Sequence, residues 1–418
     1  MKNRVLDLFH SFRYRDYRFL WVIVALVNTA SWSFTLGVTS QVFSLTHSTF
    51  WSGAIMFASM VPNLIGAPLV GVLADKLERR QLILISIALV ILTLLTLTVT
   101  SIAGVLAPSG MVVLALLFGL ASSTISVAIN AILPGLVPRT ELYNAYSLQA
   151  VGQRGTEFIG PFAASPLLAL WGPQAVYIFG AVMFVLAIWF VIALSTPKAE
   201  ETLKPSSPQF GFFHSLREGF SYIRRNRQIY GIIILVGLHC SLTMAFMGML
   251  PGFVQNQLLA PSSFYGLLMS MVGLGAIFAT LWLAGVRSSQ FRRMLFWASG
   301  LLSGLSLAFL GLSSTRTIAI IAILLVGASQ AMFMTITGAM VQELTEERVR
   351  GRVTSVYFVL AAGLMSLANW VYGAIAKFVH PTLIMLVTGL LFVVAMAAYR
   401  VVTAKPDLGQ GVQDSLSL

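Results

Sequence analysis

The sequence predicts an all-α membrane protein with about twelve transmembrane helices, six on either side of a central break. Three observations carry this. First, 57% of the 418 residues are hydrophobic and only 10% are charged, where a soluble domain has roughly 25% charged residues. Such a chain has nowhere in water to put its apolar surface. Second, the apolar residues gather in runs close to the ~20 residues a helix needs to cross a bilayer. Third, the bases stand in short clusters between runs. The net charge of +12 therefore follows membrane topology and not nucleic-acid binding.

Residues 1–18 form an N-terminal interfacial segment. Val5, Leu8, Phe9 and Phe12 share one side of a helix, with Lys2, Arg4, Arg13 and Arg15 around it, which suits the membrane surface. No cleavable apolar core is present, so the first run is expected to act as an uncleaved insertion signal. Runs follow at about 19–43, 50–73, 81–103, 108–132, 143–170 and 174–195, then at about 228–257, 262–286, 294–312, 316–341, 353–378 and 381–402. The expected domains are 19–195 and 228–402, joined by a linker at 196–227 and followed by a tail at 403–418. The linker opens with Pro197, Pro205 and Pro208 as flexible chain. It then places Phe213, Leu216, Phe220 and Ile223 at helical spacing beside Arg217, Arg224 and Arg225, an interfacial helix.

The bases set the orientation. Alternate turns hold Lys76, Arg79 and Arg80; Arg139; Arg287, Arg292 and Arg293; and Arg348, Arg350 and Arg352. The remaining turns carry none, apart from Arg316 and Lys377 near two of them. Basic turns stay in the cytoplasm, so both termini and the linker are expected there. The lone cysteine, Cys240, permits no intramolecular disulfide.

The most distinctive stretch is Gly66 to Arg80. An apolar run ends there in Asp75-Lys76-Leu77-Glu78-Arg79-Arg80, and another begins at once. Small residues (Gly66, Ala67, Gly71, Ala74) admit a neighbouring helix. Asp75 at the helix end is placed to accept from a facing helix N-terminus or to pair with Arg79 or Arg80. As residues alone, such a turn is a plain positive membrane flank. The spacing Gly71-x-x-x-Asp75-Lys76-x-x-Arg79-Arg80 resembles the loop 2–3 signature of the major facilitator superfamily, with Glu78 where that family usually has Gly. The resemblance implies a latch between two halves, formed by Gly71, Asp75, Arg79 and Arg80. The halves also repeat weakly: loop 8–9 ends in Arg292-Arg293, with Ser288 or Ser289 in place of the acid. The N-terminal Phe12 to Trp21, the linker stretch Leu216 to Asn226, and the turns around Pro138-Arg139 and Glu346 to Arg352 are similar to the bacterial siderophore-exporter and macrolide-efflux branch. It covers essentially the whole chain.

Ionisable groups inside the membrane are the informative ones, because each is costly there. Arg154 lies about 16 Å and Glu157 about 21 Å along the fifth run from Tyr143. Three residues apart, they share a helix face and can pair. Two readings stand. In one, Glu157 takes up and releases a proton as access alternates, with Arg154 holding its charge in one state and letting go in the other. In the other, the pair is static, or Arg154 snorkels. The related branch more often has Asn and Arg before its Gly-Pro. Gly160-Pro161, followed by Pro166, resembles a fifth-helix motif of facilitator exporters, its earlier glycine replaced by Thr156; as residues alone they make a proline kink.

Asn28 and Trp32 in the first run, Asn130 in the fourth and His239 in the seventh are polar or amphipathic at depth. The resemblance places the first, fourth, seventh and tenth helices along the cavity, which makes these four the substrate-cavity candidates. The alternative for each is a helix–helix hydrogen bond or lipid-facing filler. His239 either protonates near neutral pH or donates to a neighbouring carbonyl. There is no phosphate-binding glycine-lysine loop to draw on ATP and no metal-ligand cluster, so no cofactor, metal or enzyme activity is expected. The fourth run lacks the buried arginine of many drug–proton antiporters, and the first has no acid.

The resemblance implies the major facilitator fold: two six-helix bundles around a mid-membrane cavity that opens alternately to each side. It implies a monomer in the bacterial cytoplasmic membrane that exports an amphipathic organic molecule, a siderophore or a macrolide-like drug, in exchange for protons. The alternatives are a proton-coupled importer of a small nutrient and a non-transporting membrane sensor or assembly factor.

Overall fold

A computed structural model describes residues 10–64, 78–195, 212–286 and 288–403. Gly71, Asp75, Lys76 and Arg287 lie outside the described residues. After a 3-10 turn at His10–Arg13 come α1 (Arg15–Thr46), α2 (Thr49–Met60), α3 (Arg79–Ile102), α4 (Pro108–Ile132), α5 (Leu142–Trp171) and α6 (Pro173–Ala193). Then follow α7 (Phe212–Arg225), α8 (Arg227–His239), α9 (Ser262–Ala284), α10 (Ser289–Leu312), α11 (Arg316–Leu344), α12 (Arg350–Ile375) and α13 (Pro381–Thr403). No strand occurs among the described residues.

Ten helical segments among the described residues are long and apolar enough to cross a membrane, against the about twelve expected. Two runs make the difference. α2 is helical only to Met60, then a 3-10 turn runs Val61–Leu64 and the description stops. α5 is long enough at 30 residues, but its Gln, Arg, Glu, Gly and Pro residues dilute its apolarity, and it is not among the ten.

Helix starts obey local chemistry. Pro108 and Pro173 stand in the first turns of α4 and α6, where a missing N–H costs nothing. The Asn226 side chain accepts from the amides of Gln228 and Ile229 and caps α8; Ser288 and Thr315 cap α10 and α11. Inside α1, the hydroxyls of Ser31, Ser33, Thr35 and Thr39 donate to the carbonyl four residues earlier. Polar groups are thereby satisfied where no water can serve them.

The chain divides into two compact units. The first comprises Met1–Thr46, Ala58–Pro208 and Ser262–Ser270. In it α1 packs on α5 and α6, and α3 packs on α4 and α6. The contact of α1 with α5 is close: a methyl group at Gly160 would lie 2.8 Å from the Thr29 carbonyl oxygen. The start of α9 belongs here too, with Tyr265 bonded to Thr39 at 3.0 Å.

The second unit comprises His47–Phe57, Gln209–Pro261 and Met271–Leu418. In it α10 packs on α11 and α13, and α7 lies on α12. A methyl at Gly304 of α10 would come within 2.5 Å of the Gly389 carbonyl oxygen of α13. The first residues of α2 also pack here, where the Thr49 hydroxyl donates to the Gly373 carbonyl at 3.2 Å. The two bases at the otherwise uncharged turns have local work: Arg316 donates to the Leu259 carbonyl at 2.7 Å, and Lys377 lies 4.0 Å from the Phe50 ring centre.

The run expected as one span over 228–257 is broken. α8 passes into a π-helical turn at Cys240–Met244, and after a short helical turn at Leu250–Gly252 a second π-helical turn runs Phe253–Gln257. Pro251 cannot donate back to the carbonyl of Met247. The Met247 carbonyl accepts instead from the Leu250 amide at 3.3 Å, and the Gly248 amide donates to the Asn369 side chain at 2.9 Å. An amide side chain from α12 thus replaces a backbone acceptor, the arrangement a broken helix needs in a membrane.

Candidate functional site

The charged pair lies at the centre of α5. Glu157 stands 15 residues after Leu142, about 22 Å along the helix. One Arg154 nitrogen donates to both carboxylate oxygens of Glu157, at 2.9 and 3.1 Å. The side chains are 38% and 20% exposed, so neither is sealed in the core. The pair also sits one turn before Pro161, which has no N–H to offer the Glu157 carbonyl. Helix chemistry and side-chain charge are therefore loosened at the same place.

The faces of α5 can be told apart. Gly152 and Gly160 turn towards α1: a methyl at Gly152 would meet the Trp21 indole at 3.0 Å. Val151, Ile159 and Phe162 are exposed apolar residues and mark the face suited to lipid. Ser165 donates to the Ser263 carbonyl at the start of α9, at 2.6 Å. At about 100° per residue, Arg154 lies about 20° from Ser165 around the helix, and Glu157 lies about 140° from Phe162. Glu157 is turned away from the lipid-suited face, and Arg154, about 60° from Val151, stands at its edge.

The other predicted residues are scattered. Asn28 donates to the Val24 carbonyl of its own helix at 2.8 Å. Trp32 packs beside Gly160, where a methyl would lie 2.8 Å from its Cβ. Asn130 is exposed and accepts from the Gln149 side chain at 3.1 Å, bridging α4 and α5. His239 is fully buried. Its ring lies between Phe333 and Phe392, with centroids at 4.5 and 5.1 Å, and Nε2 bonds to Ser303 at 2.9 Å. The partner is a hydroxyl of α10 and not the carbonyl expected, and the ring is enclosed by aromatic side chains. Of the four, Asn28 and Trp32 are half-buried on α1, and Trp32 is the one beside Gly160 of α5.

Of the expected latch, Arg79 and Arg80 are described. Arg79 donates to the Ala131 carbonyl at the end of α4, at 2.7 Å, and Arg80 donates to the Ile192 carbonyl at the end of α6. Each guanidinium meets the negative end of a helix dipole. Asp75 and Gly71 fall outside the described residues.

Three polar contacts escaped the sequence reading. The Gln41 side chain donates to Ser101 at 2.6 Å and accepts from the Tyr177 hydroxyl at 2.5 Å. Gln330 donates to the Thr243 carbonyl at 2.7 Å, beside the first π-helical turn. Asn369 holds Gly248. A glutamine or asparagine inside an apolar run is the signal that marks all three.

The family model for transmembrane secretion effectors matches residues 8–410. The chain belongs to this family of the major facilitator superfamily. It is 23% identical to the staphyloferrin A transporter of Staphylococcus aureus over 84% of this chain and 89% of the relative. It is likewise 23% identical to macrolide efflux protein A of Streptococcus pyogenes over 78% and 80%, and 25% identical to the enterobactin exporter EntS of Escherichia coli over 77% and 76%. Among solved structures, the nucleoside transporter NupG matches with a TM-score of 0.72 and 15% identity, covering 93% of this chain and 99% of that one. A POT family transporter in complex with 5-aminolevulinic acid matches with a TM-score of 0.73 and 13% identity, covering 94% and 97%. The protein is thus a multi-pass membrane transporter, and these relatives are transporters, two of them by name an efflux protein and an exporter.

Proposed function

We propose that this transporter exports an amphipathic organic molecule, of the siderophore or macrolide-like class, by alternating access in exchange for protons. The supporting observation is the Arg154–Glu157 pair, paired, partly exposed and mid-helix. An ion pair in a membrane helix is tolerable because its net charge is zero. When Arg154 moves away, a lone carboxylate there carries a heavy desolvation cost. A proton on Glu157 removes that cost. Opening the pair and taking up a proton are thereby one event, which is what coupling requires.

Asn28 and Trp32 are the residues of α1 assigned to the substrate. Asn130 and His239 are assigned to helix contacts. Gly160 and Pro161 let α5 approach α1 and flex beside the pair. The basic turns face the cytoplasm of a bacterium, the chain works as a monomer in the inner membrane, and its halves are 19–195 and 228–402. Gly71, Asp75, Arg79 and Arg80 act as the latch, so Asp75→Asn slows turnover several-fold without unfolding the protein; an unchanged rate removes the latch.

The test is flux in oriented proteoliposomes with siderophores and macrolides as substrates. An imposed pH gradient drives substrate movement against the direction of proton flow. Flux indifferent to the gradient overturns antiport, and substrate moving with the protons overturns export.

A further inference from the structure

A second site stands apart from the charged pair, at the basic end of the second unit. Between α8 and α13 there is a groove of about 380 Å³. Arg227 and Gln228 stand at its mouth with Thr403 from the antiparallel helix; Tyr230, Ile234, Ala398 and Tyr399 line its walls. Gly231 lies against one of its walls: a methyl there would lie 2.8 Å from the Tyr399 ring, so a side chain at 231 would require the ring to move. From Arg227 to Leu238 the groove runs along eleven residues of helix, about 16 Å, roughly one leaflet of a ~30 Å hydrocarbon core.

Charge decides the occupant. Arg227 is exposed, as are Arg224 and Arg225 just before it, and no carboxylate lines the groove among the described residues. The acids of the neighbouring helices are engaged elsewhere, Glu218 with Arg352 and Glu343 with Arg292. A guanidinium with no acid partner among the described residues, above an apolar slot and between two helices at the basic membrane face, is matched by an acidic headgroup above an acyl chain. We propose that this groove binds one anionic phospholipid, its phosphate on Arg227 and an acyl chain along Ile234, Leu238 and Ala398. The site rests on reading the basic turns as one membrane face, and not on the proton-coupling role of α5.

The test is native mass spectrometry and thermal unfolding of the full-length protein in detergent, titrated with phosphatidylglycerol or phosphatidylcholine. One phosphatidylglycerol is expected to be retained and to raise the unfolding temperature, while phosphatidylcholine is not. Arg227→Gln weakens that retention about fivefold, and Arg227→Lys largely keeps it. Ala398→Trp fills the slot and abolishes retention with Arg227 intact, which carries the test if Arg227→Gln does not fold. Equal retention of both lipids, full retention by both Arg227→Gln and Ala398→Trp, or the same stabilisation from inorganic phosphate alone overturns the proposal. Transport is not the readout, so a failure here leaves the exporter reading standing, and the reverse.

Discussion

The two halves of the chain solve the same structural problems with opposite charges. Before α5, the N-terminal turn offers an imidazole and the turn leading into the helix a carboxylate: His10 meets Glu141 at 2.7 Å, and the Ser11 amide donates to Asn144 at 3.0 Å. Before α12, the interfacial helix α7 offers the acid and the span the base, as Glu218 meets Arg352. The basic turns differ too. Arg79 caps the bare carbonyls at the end of α4, while Arg292 reaches a carboxylate, Glu343, at the end of α11, at 3.6 Å. Fixing a helix end needs only opposite charge within reach, so either polarity serves. The middle of the helices is not interchangeable. α5 carries Arg154 and Glu157, whereas α12 carries a neutral amide, Asn369, which mends the broken α8 run. Charge work is concentrated in the first half and backbone repair in the second.

That contrast makes graded predictions. The largest effect is expected from Glu157→Gln, which cuts proton-driven flux more than tenfold while unfolding temperature is kept, since the amide still bonds Arg154; normal gradient-driven flux in this variant ends the division of labour. Next, Gly304→Val forces α10 from α13 and costs about 1–3 kcal/mol in the second unit, measured by thermal unfolding. Asn369→Ala orphans the buried Gly248 amide and costs about 1–3 kcal/mol; faster hydrogen exchange at Gly248 is the specific readout, and unchanged exchange refutes the repair role. Smallest is Arg352→Gln. Its pair is partly exposed, so the cost is about 1 kcal/mol or less, matched by Glu218→Gln, with little further loss in the double variant.

Much of this was legible before any coordinates. Pro108 to Ile132 reads as a helix from its own composition, and α4 has those bounds. Leu216, Phe220 and Ile223 at helical spacing mark α7. The pairing of Arg154 with Glu157 is a property of residues three apart on one helix. The seventh run was not legible in this way. Its apolarity continues to Leu259, but Pro251 and Gly248 interrupt the ladder, and the Asn369 side chain, 121 residues on, supplies the acceptor for the Gly248 amide.

Composition, run length and the placement of bases by themselves determined a helical membrane protein whose central charges lie in α5. Those features depend on hydrophobic transfer and on spacing along one helix, which chain order contains. Tertiary structure alone decided that His239 is closed in by Phe333 and Phe392, that Asn130 is spent on Gln149, and that α8 and α13 leave a groove beside Arg227. Each of these depends on which side chain arrives from another helix, and packing, not local sequence, sets that.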